Sequence, residues 1–179
     1  GNGVAGMKAY RDDVRARAAA AGRDPDDIKV LFLVYPFIGE TEQAARDSYS
    51  RLINSPRFIE RSLTTIGIVT DIDFSQYDLD APLPPVTTNG EQGSLDKFAQ
   101  WGSGKTLRQL ASERFESSLE LIGTPDQVAD KMGAAIEAIG GDGFLINTPF
   151  QLVHSRAIID VTQGLVPALQ RRGLVRTGY

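Results

Sequence analysis

Residues 121–150 constrain the possible folds most, because a helix start, an amphipathic helix, a glycine turn and an apolar strand follow one another without a break. Thr124 stands where an N-cap residue is needed, and Gln127 follows three residues later, which is the spacing of a capping box. Apolar residues recur at helical spacing up to the glycine pair at 140–141, and the apolar run 144–146 comes next. This order predicts half of a parallel α/β unit, with a strand buried on both faces and ligands near its carboxyl end.

A second stretch with the same rhythm lies near the start of the chain. Apolar residues between Val4 and Ala18 mark one face of a first helix, and Gly22 is suited to end it. The apolar run 28–35 predicts a strand, and Thr41 is suited to cap the helix that follows. The alternation of helix, strand and helix favours a parallel sheet covered by helices.

The rhythm is interrupted between residues 54 and 118. This segment contains the run 58–69, which fits either helix or strand, an acidic loop, the prolines at 82–85 and a helix that begins at Leu107. Segments of this length within a compact domain are usually functional loops or lids. We therefore interpret residues 54–118 as a lid-like insertion within one domain, residues 1–179.

The pattern predicts two strands and a last helix near 157–171. Two strands are too few for a stable parallel sheet. A (β/α)8 barrel takes about 250 residues, and this chain has 179. We therefore expect an α/β fold that corresponds to the C-terminal part of a (β/α)8 TIM barrel, its last two strands and their helices. The absence of an initiator Met at residue 1 agrees with a piece of a longer chain.

The composition excludes several classes of protein. A net charge of −4 and scattered arginines do not provide the basic face that a nucleic-acid partner requires. The sequence has no run of apolar residues long enough for a membrane span, and it has no cysteine for disulfides or thiolate chemistry. We expect a cytoplasmic protein without nucleic-acid or membrane partners.

The motif at residues 102–106 is similar to a phosphate-binding loop, but the pattern requires a glycine where Ala99 stands. No predicted strand precedes the motif. Thr106 and Gln109 instead have the spacing of a second capping box. We therefore interpret the motif as a helix start.

Three other charged features favour structural interpretations. The four aspartates between 71 and 80 have the composition of a calcium loop, but Gln76 and Pro82 break its pattern. His154, the only histidine, has no evident carboxylate partner beside it, so we interpret it as a surface or helix-entry residue rather than a proton donor. The arginine pair 171–172 is placed to complement the dipole of the last helix.

Six blocks of the sequence carry a resemblance to a known family. They are residues 20–25, 39–44, 78–84, 123–130, 142–144 and 166–174. In this order they resemble the C-terminal part of the bacterial luciferase-like monooxygenases, and more narrowly the branch of nitrilotriacetate and dibenzothiophene sulfone monooxygenases. The acidic, proline-rich block 78–84 and the leucine-arginine block 166–174 are the most specific.

The resemblance implies a TIM barrel that receives reduced FMN from a separate NAD(P)H-dependent flavin reductase and uses O2 to oxygenate a small organic substrate. It favours a homo-oligomer. In such enzymes most flavin contacts come from earlier strands, which this sequence does not contain, so the chain alone is expected to be inactive. The chain would supply barrel strands seven and eight.

The resemblance also places candidate pocket residues at the ends of these strands. The flavin pocket wall would consist of Pro36, Phe37, Thr148 and Pro149, and the substrate or lid contacts of Phe98, Trp101 and Phe150. The two aromatic residues of the insertion could equally pin it to the barrel. No catalytic acid or base and no metal ligand is predicted.

Two other functions remain open. One is a flavin- or deazaflavin-dependent oxidoreductase on the same barrel, which would transfer hydride without activating O2. The other is a truncated, non-catalytic partner that associates through its unpaired strand edges.

Overall fold

The computed structural model describes residues 3–87, 90, 93, 104–113, 119–147 and 155–178. The chain divides into two compact units, one formed by residues 1–49 with 116–179 and the other by residues 50–115. The second unit overlaps the predicted insertion, whose role as a lid stays a prediction. In the part of the chain that is described, no helix is both long and apolar enough to cross a membrane.

The described residues form seven α-helices and four short strands. The helices are α1 (Gly3–Ala20), α2 (Glu42–Ile53), α3 (Pro56–Thr70), α4 (Leu107–Glu113), α5 (Pro125–Ile139), α6 (Ser155–Ile159) and α7 (Val166–Arg171). The strands are β1 (Leu31–Val34), β2 (Phe37–Ile38), β3 (Ile122–Gly123) and β4 (Gly143–Ile146). Single 3₁₀ turns lie at Pro25–Asp27 and Phe74–Gln76, and a π-helical segment, Asp160–Leu165, joins α6 to α7.

The strands of the first unit form two parallel pairs. β1 pairs with β4, so that Leu31 lies opposite Gly143 and Val34 lies opposite Ile146. β2 pairs with β3 over two residues. The sequence predicted the strands β1 and β4 and missed β2 and β3, which are too short to produce a pattern of their own.

The core of the first unit lies between the strands and the helices α5 and α7. Val34 of β1 is fully buried and packs with Val128, Met132, Leu165 and Leu169. Removing an aliphatic side chain of this size from water contributes about 1.5–3 kcal/mol. The helical spacing predicted for the region before Gly140 is therefore confirmed, because that stripe faces the core.

The ends of α5 form as predicted. The Gln127 N–H donates to Thr124 Oγ1 over 3.3 Å, and the Thr124 N–H donates to Gln127 Oε1 over 2.9 Å. Gly140 ends the helix with φ of 72°, a left-handed conformation that favours glycine. The capping box and the glycine stop are both confirmed.

The prediction that the strands are buried on both faces is wrong for this chain. Leu31, Leu33 and Leu145 are 46, 48 and 49% exposed. In β1, Phe32 and Val34 alternate with the exposed Leu31 and Leu33 and point to the opposite face, toward the helices. There the ring of Phe32 makes an edge contact with that of Tyr10. Helices therefore cover one face of the β1/β4 pair, and the other face is an apolar surface.

The second unit is built around α3 and α4. The run 58–69, which sequence could not assign, is part of α3: Ser55 caps it by accepting from the Phe58 N–H, and Pro56 occupies its first turn. Ile59, Leu63, Leu107 and the residues around them form a separate apolar core. The buried Ser62 hydroxyl donates to the Ala111 carbonyl over 2.9 Å and ties the two helices together.

The helix start at Thr106 confirms the structural interpretation of residues 102–106. The Thr106 N–H donates to Gln109 Oε1 over 2.9 Å, and the Gln109 N–H donates to Thr106 Oγ1 over 3.2 Å. Gly104 adopts φ of 80°, which marks the turn before the helix.

The last helix covers the predicted range but contains the π-helical segment, which the sequence did not indicate. The predicted role of the arginine pair is incomplete. Arg172 does donate to the Ala168 carbonyl over 2.9 Å, but both arginines also donate to Asp126, and Arg172 reaches Asp130 over 2.6 Å. The pair therefore holds the end of α7 against the start of α5.

Candidate functional site at the carboxyl ends of the strands

The carboxyl ends of β1 and β4 lie side by side. Val34 and Ile146 are partners in the register, and the Asn147 N–H continues the ladder by donating to the Val34 carbonyl over 2.9 Å. Pro36 and Asn147 therefore follow the strands at the same edge of the sheet. In parallel α/β folds this edge is where ligands bind.

The second strand pair carries Phe37, which was predicted to form part of the pocket wall. Its N–H donates to the Leu121 carbonyl over 2.8 Å. Its ring is half-buried and meets the ring of Tyr49 edge to face, with centroids 4.9 Å apart. A pocket wall at this point would be rigid, because backbone and ring are both held.

Two helices begin directly behind the second strand pair. Thr41 accepts from the Ala44 N–H over 3.1 Å at the start of α2, and the capping box described above starts α5. Gln127 Nε2 donates to Glu42 Oε2 over 3.0 Å and so links the two starts. Arg46 donates to Glu42 and to Glu120.

These contacts set the charge at the start of α2. The hydrogen bonds from Arg46 and Gln127 hold the pKa of Glu42 below its ordinary value. Glu42 is therefore ionised at neutral pH, and its charge occupies the first turn of a helix, where the dipole stabilises an anion. The charge is already matched, so this network is a support for the strand ends and leaves no free charge for a ligand.

The amino ends of β1 and β4 are organised differently. The side chain of Asp142, directly before β4, is 7% exposed. It accepts from Arg15 over 2.9 Å and from the Val30 N–H over 2.9 Å. Arg11 lies 3.6 Å from the same carboxylate. Burial works to raise the pKa of Asp142, but the Val30 N–H and the two arginines outweigh it and hold the pKa below its ordinary value.

Several predicted site residues lie outside the described residues. These are Thr148, Pro149, Phe150, Phe98 and Trp101, and the interpreted helix-entry residue His154 lies outside them as well. Pro36 and Phe37 are described, and the structure brings them to the strand-end edge, together with Asn147. Their role in binding a flavin stays a prediction.

The sequence missed two charged residues close to this edge. Glu40 follows β2, and Arg156 in α6 lies 4.0 Å from its carboxylate while donating to Asp160 over 2.9 Å. The sequence shows that Arg156 follows β4 in the chain, but the residues around it do not distinguish it from an ordinary surface arginine.

Aspartates of the acidic loop form hydrogen bonds and an ion pair within the protein. Asp73 accepts from the Ser75 N–H over 3.0 Å, Asp78 accepts from the Asp80 N–H over 2.9 Å, and Asp80 binds Arg108. Among the described residues, no three histidine or acidic side chains are grouped so that they could hold a metal ion.

Comparison with known proteins relates this architecture to one family. Residues 1–143 match the family model of the luciferase-like monooxygenases. The chain is 32% identical to nitrilotriacetate monooxygenase component A of Aminobacter aminovorans, over 98% of this chain and 40% of that protein. It is 30% identical to dibenzothiophene-sulfone monooxygenase of Rhodococcus erythropolis, over 97% of this chain and 39% of that protein.

A similar solved structure is that of a riboflavin lyase with modified FMN and the substrate riboflavin. It has a TM-score of 0.71 and 25% sequence identity, and the match covers all of this chain and 39% of that one. The chain thus spans about two fifths of the length of the proteins it matches, 40% and 39% for the two curated relatives.

Proposed function

The chain belongs to the luciferase-like monooxygenase family, and from that premise we propose that it forms part of the oxygenase component of a two-component, flavin-dependent monooxygenase. Membership confirms the resemblance found in the six sequence blocks. The observation that carries the proposal is the in-register parallel pair β1/β4, whose carboxyl ends meet at one edge and whose uncovered face is apolar.

In this proposal β1 and β4 are strands seven and eight of a (β/α)8 barrel. The helices α1 and α5 would form part of the outer ring, and Leu31, Leu33 and Leu145 would point into the barrel. Branched aliphatic residues fill the interior of such barrels in layers, so the uncovered face has the composition that the interior requires. The insertion 54–118 would act as a lid at the substrate entrance.

Pro36 and Phe37 fit the ring system of FMN, because they are apolar and Phe37 is firmly held by its backbone hydrogen bond and its contact with Tyr49. Pro36 and Phe37 would form one wall and Thr148 with Pro149 the other, while Phe98, Trp101 and Phe150 would contact the substrate. When bound, reduced FMN supplies the oxygen-activating chemistry, and the protein supplies a shaped pocket that excludes water. The support for Phe37 comes from its fixed backbone and its contact with Tyr49.

The same family membership supports the proposed partners. The enzyme would receive reduced FMN from an NAD(P)H-dependent flavin reductase, take O2 and a small organic substrate, work as a homo-oligomer and reside in the cytoplasm. Because the chain spans about 40% of its relatives, activity would belong to a protein that contains the rest of the barrel.

The first experiment measures the intact mass of the polypeptide in its source cells against the 19.4 kDa of this chain. The natural protein is then supplied with reduced FMN, and O2 uptake is followed with and without organic substrates. We expect a mass near that of a full barrel and substrate-dependent O2 uptake. A native mass near 19.4 kDa with no flavin binding would overturn the proposal in favour of a non-catalytic partner.

A pair of matched variants tests the strand-end site itself. Phe37→Leu should weaken binding of reduced FMN by about three- to tenfold, since it removes one aromatic contact from the wall. Phe32→Leu makes the same chemical change on the helix-facing side of β1 and should leave FMN binding unchanged. Equal effects of the two variants would contradict a flavin wall at Phe37.

The second candidate is a flavin-dependent oxidoreductase that does not activate O2. The support for it is that a riboflavin lyase of similar architecture holds a modified FMN, so flavin binding by this architecture is not confined to proteins named as monooxygenases. Flavin binding with turnover of a hydride acceptor, and no substrate-dependent O2 uptake, would select this candidate.

A further inference from the structure

A cleft of about 640 Å³ opens within the unit of residues 50–115. One wall is a stripe along α3 from Pro56 to Asp71. The other is formed by residues 72–75, Tyr77, Leu79 and Arg108. Its volume lies within the range of about 300–1,000 Å³ that is usual for small-molecule sites. The volume favours an organic molecule over an ion or a protein helix as the occupant.

The interior of the cleft is apolar and partly aromatic. Ile59, Leu63 and Phe74 belong to the buried core of this unit, so the floor is rigid. The rings of Phe74 and Tyr77 both line the cleft, with their centroids 6.3 Å apart. Aromatic faces of this kind bind apolar groups and also attract organic cations.

The mouth of the cleft is acidic. Asp71 and Asp73 line it where α3 ends, Glu60 lines the cleft eleven residues earlier along the helix, and Arg108 is the cation among the described lining residues. Arg108 is already neutralised by a bidentate pair with Asp80, with Nε to Oδ1 at 2.7 Å and Nη2 to Oδ2 at 3.0 Å. The mouth therefore keeps a negative charge.

The two carboxylates at this end of the cleft are both accessible. Asp73 accepts from the Ser75 side chain and from Gln76, and these bonds hold its pKa below the ordinary value, so it is ionised at neutral pH. Asp71, at the end of α3, is exposed, and so is Asp73. Two carboxylates are thus available to a positively charged ligand.

We infer that this cleft binds a small amphipathic organic cation, with the apolar body on the Phe74 and Tyr77 side and the ammonium group at the Asp71 and Asp73 end, where α3 ends. The site lies entirely within residues 50–115 and does not depend on a flavin. It assigns a binding function to the acidic segment, which the oxygenase proposal leaves unused.

The test uses three probes of one shape and different charge: phenylbutylamine, phenylbutanol and phenylbutyrate. Binding to the full chain is measured by titration calorimetry and by ligand-observed NMR at low and at moderate salt. We expect the amine to bind most tightly, the alcohol less tightly and the carboxylate not detectably, and we expect salt to weaken the amine alone. Equal binding of the amine and the alcohol, or no binding of the amine, overturns the inference.

Variants locate the site and control for net charge. Asp71→Asn and Asp73→Asn should each weaken amine binding about two- to fivefold, the range for losing one exposed ion pair. Asn tolerates the left-handed backbone of Asp71, where φ is 53°, so the fold is retained. Asp78→Asn removes the same charge from the same segment but does not line the cleft, and it should leave amine binding unchanged.

A variant of the apolar wall completes the design. Ile68 lines the cleft and is 78% exposed, so Ile68→Gln changes the apolar wall without opening the core. This variant should weaken the amine and the alcohol by the same factor, whereas the carboxylate variants should weaken only the amine. If all four variants, Asp78→Asn included, lower amine affinity equally, the binding is non-specific and the inference is wrong.

Discussion

The two ends of the β1/β4 pair use opposite means to hold the same two strands. At the amino end the buried Asp142 joins α1 to the sheet through Arg11, Arg15 and the Val30 N–H. At the carboxyl end the ladder continues to the Asn147 N–H, the uncovered face beside it is apolar, and the charges close to it, Glu40 and Arg156, are exposed. The comparison indicates that a buried, matched charge fixes the amino end, whereas the charges at the end proposed to bind a flavin lie at the surface.

The separation of these roles is physically reasonable. A buried carboxylate that is matched by two guanidinium groups and a backbone N–H is costly to disrupt, because removing one partner leaves the others unpaired. An edge that binds a ligand requires instead an apolar surface, because its burial by the ligand lowers the free energy of the complex. The predictions below test whether stability is concentrated at the amino end, in order of decreasing effect.

The largest effect should follow from Asp142→Ala. The change leaves Arg11, Arg15 and the Val30 N–H without their common acceptor, and we expect a loss of roughly 3 kcal/mol in the free energy of unfolding. Pro36→Ala at the opposite end should cost less than about 1 kcal/mol. Urea unfolding measures both, and similar losses at the two ends would remove the contrast.

The second effect is a dependence of stability on pH. The pKa of Asp142 is lower in the folded chain than in the unfolded chain, so its contribution is fully present above the unfolded value of about 3.9 and is lost as the pH falls through the folded value. Other carboxylates with lowered pKa values, such as Glu42, also contribute. The difference between the natural chain and Asp142→Asn isolates this residue.

The measurement is urea unfolding of both proteins from pH 7 (roughly neutral) down to about pH 3, across the range in which aspartate titrates. The difference in unfolding free energy should be constant at neutral pH and should shrink in acid. A difference that stays constant throughout would show that Asp142 acts through packing rather than through its charge.

A smaller effect is expected from Thr124→Ala, at the start of the helix behind β3. The change removes an N-cap acceptor and should cost about 1 kcal/mol. Thr106→Ala removes the equivalent acceptor from the capping box of α4 and is the matched control for the chemistry. Because the first cap also orders Gln127 and its bond to Glu42, Thr124→Ala should be the more costly of the two. Equal costs would mean that the link between helix starts contributes nothing.

The sequence was informative wherever structure is determined by near neighbours. The caps at Thr41, Thr106 and Thr124 depend on side chains three residues away, and all three were predicted from spacing alone. The stop at Gly140 depends on backbone freedom at a single position. Because the interacting residues are close in sequence, the residue types and their spacing are enough to predict these features.

The sequence was uninformative where structure depends on distant partners. The strand at Phe37 exists because Ile122 lies opposite it, and no local pattern indicates a two-residue strand. The aspartate of the block 142–144 was noticed as a motif, but its partners Arg11 and Arg15 stand more than 120 residues earlier. The cleft of the second unit combines α3 with the acidic segment and was not predicted either.

The smallest expected effect on stability is also the most direct test of the uncovered face. Leu33 is 48% exposed, so Leu33→Thr should change the unfolding free energy of this chain by no more than about 0.5 kcal/mol. Its neighbour Val34 is fully buried, and Val34→Thr, which places a hydroxyl in the core, should cost about 2 kcal/mol.

Sedimentation at several protein concentrations decides what covers the face of Leu33. If the isolated chain self-associates through this face, Leu33→Thr should weaken association while Val34→Thr does not, because Val34 faces the helices. In the complete barrel the same leucine would be interior, and Leu33→Thr should then destabilise the protein by about 2 kcal/mol or more. If Leu33→Thr is neutral in the isolated chain but destabilises the complete protein, β1 belongs to the barrel wall. A neutral effect in both proteins would contradict that placement.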